Sequence, residues 1–374
     1  MKTITVQGSL AMPAVRRQCT KVIRGGIRAL STLTVIALCA QAPTAKAQDF
    51  KKYMNELDMS SVTMSMLAYG DPPGPQCSNG VTALQIQDKF HSLFPIAKGV
   101  MWTRIIRQNE NDLQAVIYAH NNLVVVAFRG SCGTDAGMSG NVWTLGIPVA
   151  KSGNSKNWAM NYNGASNPTV PGFNGKAAHD GWAKATNVQL GGGKNFYEEV
   201  AQWTRVALGA ERSVKWLLIT GHSMGGAMAH YFAYRFLDKN GPWVPRAFTD
   251  AKQGRFVRTR ILTFGAPKGG YGACGSNAAS LEVDYNRVLR DREAFAGSVE
   301  IKGDGIPDMT QKSGVCPRTM GVRIVGENSF PKNDAHDIRN YMLIFARNMQ
   351  SAYGRLPYSD MYNPLGSWAS PNAR

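Results

Sequence analysis

The residues best able to do chemistry lie in one short stretch, Trp216-Leu217-Leu218-Ile219-Thr220-Gly221-His222-Ser223-Met224-Gly225-Gly226. An apolar run of strand character leads into Gly-x-Ser-x-Gly, and a run of helical spacing follows. A serine on a sharp strand-to-helix turn stands clear of the backbone and can attack an electrophilic carbon. The turn needs small neighbours, so Gly221 and Gly225 leave room for strand and helix to approach. A serine hydroxyl is a poor nucleophile at neutral pH. It needs a histidine to take its proton and a carboxylate to orient that histidine. The pentapeptide is weak by itself; the strand before it and the helix after it give it meaning.

The chain has six histidines. In the order of an α/β-hydrolase fold, nucleophile, acid and histidine follow one another along the chain. His91 and His120 come too early, and His179 also precedes the serine. His230 lies seven residues after Ser223, on the same helix, and reads as a packed helix residue. His336, just before the apolar helical run that starts at Ile338, is the remaining base. The candidate acids between Ser223 and His336 are Asp284, Asp291, Asp304, Asp308 and Asp334, together with several glutamates. Asp304 is preferred, because Ser298 to Ile301 reads as a short strand with Asp304 in the loop at its end. Asp291, after Arg287-Val288-Leu289, is the alternative.

Taken together, these residues resemble a class 3 lipase, the fungal-type triacylglycerol lipase family within the α/β-hydrolase fold. Val124-Val125-Val126-Ala127-Phe128-Arg129-Gly130-Ser131 is similar to the family's strand ending in F-R-G-[ST]. His179-Asp180-Gly181-Trp182 resembles its H-x-G-F segment, and Gly221 to Gly226 its G-H-S-L-G-G, with Phe264-Gly265-Ala266-Pro267 after the next strand. The resemblance implies that Ser131 supplies an oxyanion-hole donor alongside the backbone N–H of Met224. It also makes His179 a structural neighbour of the site, matches Asp304 to a D-x-V-P segment, and sets His336 before the last helix. The stretch from Ser131 to His179 is longer than the family usually shows. Met138, Trp143, Trp158 and Met160 within it are candidates for an apolar lid.

The elements that must position these residues follow from periodicity. Helical spacing runs from Asp49 to Tyr69 and ends at Gly70-Asp71-Pro72-Pro73. Leu113–Ala119 and Leu123–Phe128 read as a hairpin whose second strand is covered on both faces. Phe196–Leu208 reads as a helix, Val214–Thr220 as a strand, Gly225–Leu237 as a helix and Val257–Phe264 as a strand. Ile338–Tyr353 closes the domain. Such alternation predicts an α/β fold with a mainly parallel central sheet flanked by helices.

The chain has 374 residues, 42 Lys+Arg and 25 Asp+Glu, and 44% apolar residues, which excludes disorder, collagen and coiled coil. Residues 1–47 hold seven cations, no acid, the apolar run Ala29–Ala40 and Ala45-Lys46-Ala47, a pattern expected of a secretory signal cut before Gln48. Removing them leaves a net charge of +10 on residues 48–374, expected to form one catalytic domain with no transmembrane segment. The product is then secreted or periplasmic. Cys77, Cys132, Cys274 and Cys316 are even in number, and Cys77 with Cys132 and Cys274 with Cys316 close the shorter loops. No Lys/Arg block points to nucleic acid, and Leu190 to Asn195 lacks the spacing of a phosphate loop. Gly303 to Asp308 lacks the alternating acids of a calcium loop, and no Cys-x-x-Cys suggests zinc, so no metal or organic cofactor is expected.

The expected chemistry is ester hydrolysis through an acyl-enzyme, on glycerides or similar acyl esters, with a lipid–water interface as a candidate setting. A phospholipase and a polymer or plant-wall esterase share the same machinery. An amidase or peptidase, and a non-catalytic surface-binding protein that keeps the fold, are the remaining readings.

Overall fold

Alternation along the central strands decides which helices cover which face of the sheet. In this computed structural model the described residues are 57–69, 82–93, 101–109, 112–120, 123–131, 166–167, 172–190, 192–210, 216–241, 257–273, 281–302, 304, 315–326, 336–338 and 340–345. The chain divides into Met1–Leu57 and Asp58–Arg374, and the sheet with its helices belongs to the second unit. The signal segment 1–47, Cys77, Cys132, Cys274 and the lid candidates Met138, Trp143, Trp158 and Met160 lie outside the described residues, as does the side chain of Cys316.

Helix α1 covers residues 58–67 and α2 Ala83–Leu93. They precede β1 (Met101–Gln108), β2 (Leu113–His120) and β3 (Leu123–Phe128). Two short strands, β4 (Ser166–Asn167) and β5 (Ala178–His179), then lead into α3 (Asp180–Thr186) and α4 (Phe196–Ala210). The central unit is β6 (Trp216–His222), α5 (Met224–Leu237) and β7 (Arg258–Phe264). It is followed by β8 (Gly270–Ala273), α6 (Leu281–Asp291), β9 (Phe295–Ile301), β10 (Val315–Arg318) and β11 (Val322–Gly326). The last described helix, α7, lies within 338–345. The main sheet has seven strands in the order β1-β2-β3-β6-β7-β9-β11. β1 to β3 pair antiparallel and β3, β6, β7, β9 and β11 pair parallel, so the sheet is mainly parallel.

The expected hairpin is β2–β3, with His120 opposite Leu123. Strand β1 and helix α2 go beyond what periodicity predicts: β1 carries Arg104 and Arg107 among its apolar residues, which blurs the alternation. The cation of Arg104 lies 4.2 Å from the Trp203 ring, which explains how it is accommodated there.

One face of the sheet presents Ile117, Val124, Val126, Phe128, Leu217, Ile219 and Ile261 to a buried cluster with residues of α3, α4, α5 and α6. Phe128 sits in an aromatic nest of Phe196, Tyr197 and Phe232, with ring centroids 5.4–6.3 Å apart. The alternate residues face α1, α2 and α7. There Tyr118 meets Phe90, and Phe264 meets Tyr341 and Phe345. Helix α1 carries buried serines as well as apolar residues, and the sheet supplies a partner for Ser65. Ser65 Oγ lies 2.7 Å from Thr220 Oγ1, which in turn donates to the carbonyl oxygen of Leu262. Asp58 forms a two-pronged ion pair with Arg260 at 2.6 and 2.9 Å, and Gln114 Nε2 donates to the Ala68 carbonyl. No helix among the described residues is long and apolar enough to cross a membrane.

His230 is packed within the core, as its place on the helix suggests. Its Nδ1 lies 2.9 Å from Tyr285 Oη, and its Nε2 lies 3.0 Å from both Thr263 Oγ1 and Ser298 Oγ. Burial lowers its pKa from 6.5 to about 3. Between those values the unfolded chain binds a proton here that the folded chain does not, so stability falls as pH drops below about 6.5. The slope is about 1.4 kcal/mol per pH unit for one group. His230→Gln keeps a donor and an acceptor but no titrating ring, so urea unfolding curves at pH 4 and pH 7 should lie closer together in the variant. Equal spacing in wild type and variant would rule out this contribution.

Candidate active site

The parallel strands all run toward the same edge, and the candidate site residues follow the ends of three of them. Ser131 comes three residues after β3, Ser223 directly after β6, and Asp304 three residues after β9. Open parallel sheets bind ligands at this carboxyl edge. His336 comes from the segment before α7.

Ser223 joins β6 to α5 with φ 57° and ψ −133°, a conformation that L-residues rarely hold. Its N–H donates to the Phe264 carbonyl at 2.9 Å, which fixes the turn against β7. The flanking glycines are required by contact: a Cβ on Gly221 would strike the Gly225 backbone, and one on Gly225 would strike the Phe128 carbonyl. Helix α5 therefore starts in direct backbone contact with β3 and β6.

His336 Nε2 lies 2.9 Å from Ser223 Oγ, and its Nδ1 lies 2.9 and 3.1 Å from the two carboxylate oxygens of Asp304. The Asp304 side chain is completely buried and that of His336 is 13% exposed, so solvent reaches the base but not the acid. A buried carboxylate that accepts the Nδ1 proton leaves the Nε2 lone pair aimed at the serine hydroxyl. Tyr341, from α7, donates its hydroxyl proton to Asp304 Oδ2 at 2.6 Å and accepts the Ile301 N–H. Burial first, and then the Asp304 charge, push the Tyr341 hydroxyl well above its usual pKa, so it remains a donor. Ser131 is buried beside the start of α5, its hydroxyl donating to Met224 Sδ at 3.6 Å.

Residues 149–294 match the family model Lipase (class 3). That stretch, which holds the nucleophile elbow, is similar to class 3 lipases. The match supports a carboxylic ester hydrolase. The matched stretch contains Ser223 and the elbow, while Ser131 lies before it and Asp304 and His336 after it. Among solved structures the chain is similar to lipase II from Rhizopus niveus, with 17% identity over 72% of this chain and 77% of that one, TM-score 0.38. M37 lipase shows 12% identity over 84% and 98%, TM-score 0.47, and a triacylglycerol lipase from Penicillium expansum 12% over 75% and 80%, TM-score 0.40. No curated protein matches the sequence.

The geometry also separates the two candidate acids. Asp291 closes α6, where it pairs with Lys239 at 3.3 Å and Arg287 at 3.5 Å. Arg287 to Leu289, which precede it, belong to α6, whose buried side is Leu281, Tyr285, Val288 and Leu289 at helical spacing. His179 is buried and stacks on Trp182 with centroids 3.6 Å apart. Its N–H donates to Tyr231 Oη, which donates to the Gly269 carbonyl, so His179 packs beside the elbow helix.

Three contributors to the site carry no signal of that role in the sequence. Tyr341 and Tyr69 belong to no motif, since a tyrosine on an apolar helix face reads as core. Gly265 lies in the segment Phe264-Gly265-Ala266-Pro267, whose pattern assigns it no task. It has φ +53°, and its N–H donates to the Val299 carbonyl. A Cβ there would come within 2.7 Å of Asp304 Oδ2 and 3.0 Å of both His336 Nδ1 and Tyr341 Oη. Gly265→Ala should therefore push the acid and base apart and lower kcat by about 100-fold, the penalty of misplacing reacting groups by about 1 Å. Steady-state kinetics on a soluble ester checks it, and a kcat within threefold of wild type would refute the crowding.

Proposed function

We propose that the chain is an exported serine lipase in which Ser223 attacks the ester carbonyl, His336 moves the proton and Asp304 orients the imidazole. The observation that carries this reading is the unbroken hydrogen-bonded line from Ser223 Oγ through the His336 ring to Asp304. His336 Nε2 takes the hydroxyl proton as the Oγ–C bond forms, then returns it to the leaving alcohol. A water molecule repeats the sequence on the acyl-enzyme, releasing the fatty acid and regenerating Ser223. The backbone N–H groups of Ser131 and Met224 hold the oxyanion, and one such donor contributes on the order of 3 kcal/mol in the transition state.

Acyl glycerides are the substrate class that the family match favours. Export rests on the cationic segment, apolar run and small-x-small site within residues 1–47. The long stretch after Ser131 supports an apolar cover over the site, which would make activity depend on a lipid surface. Hydrolysis of esters from short to long acyl chains, below and above each ester's solubility limit, tests the substrate reading. A rate that jumps above that limit supports a covered lipase. Smooth saturation on short soluble esters alone would overturn it in favour of a plain esterase, and preference for the matched amide would make the chain an amidase.

A further inference from the structure

His222, the second residue of the elbow, points away from Ser223's substrate side. It is on the same face of β6 as Thr220, because successive strand residues alternate. That face is the one covered by α1 and α7. Its Nε2 lies 2.7 Å from the backbone carbonyl oxygen of His336, and its Nδ1 lies 2.8 Å from Tyr69 Oη, just beyond α1. A carbonyl oxygen only accepts, so Nε2 carries the ring proton. With that proton placed, the neutral ring can only accept at Nδ1, and the Tyr69 O–H donates there. The Tyr69 hydroxyl also packs directly on Gly130, the residue before Ser131, where a Cβ would collide with it. A directed chain thus runs from the Tyr69 O–H, seated against Gly130, to His222 Nδ1, and from His222 Nε2–H to the His336 carbonyl.

We propose that Tyr69 and His222 are positioning residues, whose hydrogen-bonded chain sets the Ser131 loop and the His336 loop in register with each other. The inference rests on the reading of Ser223, His336 and Ser131 as nucleophile, base and oxyanion residue. Ser131 and His336 are 205 positions apart in sequence and follow different strands, and this chain runs from its seat against Gly130 to the His336 backbone. Neither link touches the Ser223 hydroxyl. The pair acts on placement alone. The arrangement also requires an uncharged His222, because its ring centroid is 4.6 Å from that of His336, which becomes cationic during proton transfer. Burial, and then the charge of His336, lower the His222 pKa to about 3, in keeping with a ring that stays neutral. It also makes α1 part of the functional unit, although α1 precedes the family-matched stretch by some 80 residues.

The test compares His222→Gln, His222→Leu and Tyr69→Phe in the full chain, with Ser223→Ala alongside. A glutamine amide can donate to the His336 carbonyl and accept from Tyr69, whereas leucine keeps the bulk and does neither. His222→Leu should lower kcat by about 10- to 100-fold with KM unchanged, and Tyr69→Phe by about 10-fold. His222→Gln should recover to within about fivefold of wild type, because the lost property is a hydrogen bond and not the imidazole itself. Equal kcat in His222→Leu and His222→Gln, or a change confined to KM, would overturn the proposal. If His222→Leu does not fold, Tyr69→Phe decides, and a kcat within twofold of wild type would overturn it. Turnover surviving in Ser223→Ala means that the site reading itself fails. An inert Ser223→Ala beside unaffected His222 and Tyr69 variants means that only the positioning chain does.

Discussion

Ser223→Ala lowers kcat on a lipid ester by about a millionfold and leaves the melting temperature close to that of wild type. The size follows from what the hydroxyl does: without Oγ no acyl-enzyme forms, and His336 has no proton to take. In a serine hydrolase, loss of the nucleophile costs about as much as loss of the whole triad, on the order of 10⁶ in kcat. What remains, about 10³ over water, comes from the oxyanion donors and from binding. The fold should tolerate the change because the strain at this position belongs to the backbone. The φ of 57° is imposed by the turn between β6 and α5, and alanine meets the same penalty as serine. The Ser223 N–H bond to Phe264 is also kept. Titrimetric assay of wild type and variant, with a phosphonate label counting reactive serines, gives the ratio. A variant retaining more than about one part in a hundred of the turnover, with no label bound, would remove Ser223 from the mechanism.

The parts of this site that were legible from sequence are those where the chemistry restricts the residue type. A strained turn between a buried strand and a buried helix leaves few choices, so Gly221, Ser223 and Gly225 could be read directly. With the serine placed, chain order and the scarcity of histidine led to His336. Asp304 was harder, because aspartates are common in loops and the deciding fact is spatial. Strand β9 ends beside β7, and that brings Asp304 under the His336 ring. Asp291 lies at the end of helix α6, among surface cations. Tyr69 and Tyr341 were invisible for a different reason. The Tyr341 ring belongs to the apolar face of α7 and the Tyr69 ring to the buried turn just after α1, and only the hydroxyl at the end of each ring reaches the site. Periodicity reports the ring and says nothing of its polar end. The sheet edge at β1 escaped because Arg104 and Arg107 interrupt its apolar residues. The cation–π contact that accommodates Arg104 depends on α4, almost 100 residues later.

Asp304→Asn should lower kcat by about 10⁴-fold with little change in fold or KM, whereas Asp291→Asn should stay within twofold of wild type. The Asp304 carboxylate is held by donors or donor-capable groups. His336 Nδ1 reaches both oxygens, at 2.9 and 3.1 Å, and Tyr341 donates to Oδ2. An asparagine replaces one oxygen by an NH₂ group. Because Nδ1 lies close to both oxygen positions, that NH₂ faces the histidine whichever way the amide turns. The conflict is relieved when Nδ1 gives up its proton and Nε2 carries it instead. In that tautomer the nitrogen 2.9 Å from Ser223 Oγ is a donor and cannot accept the serine proton. The geometry survives while the chemistry stops, which is why the loss should appear in kcat alone. Asp291 serves as the internal comparison, since its partners are Lys239 and Arg287, on the surface of the molecule. Parallel kinetics and thermal melts of the two variants settle the assignment. A loss larger in Asp291→Asn than in Asp304→Asn would require a different acid for His336, and equal small losses would mean that the imidazole holds its working tautomer without a carboxylate.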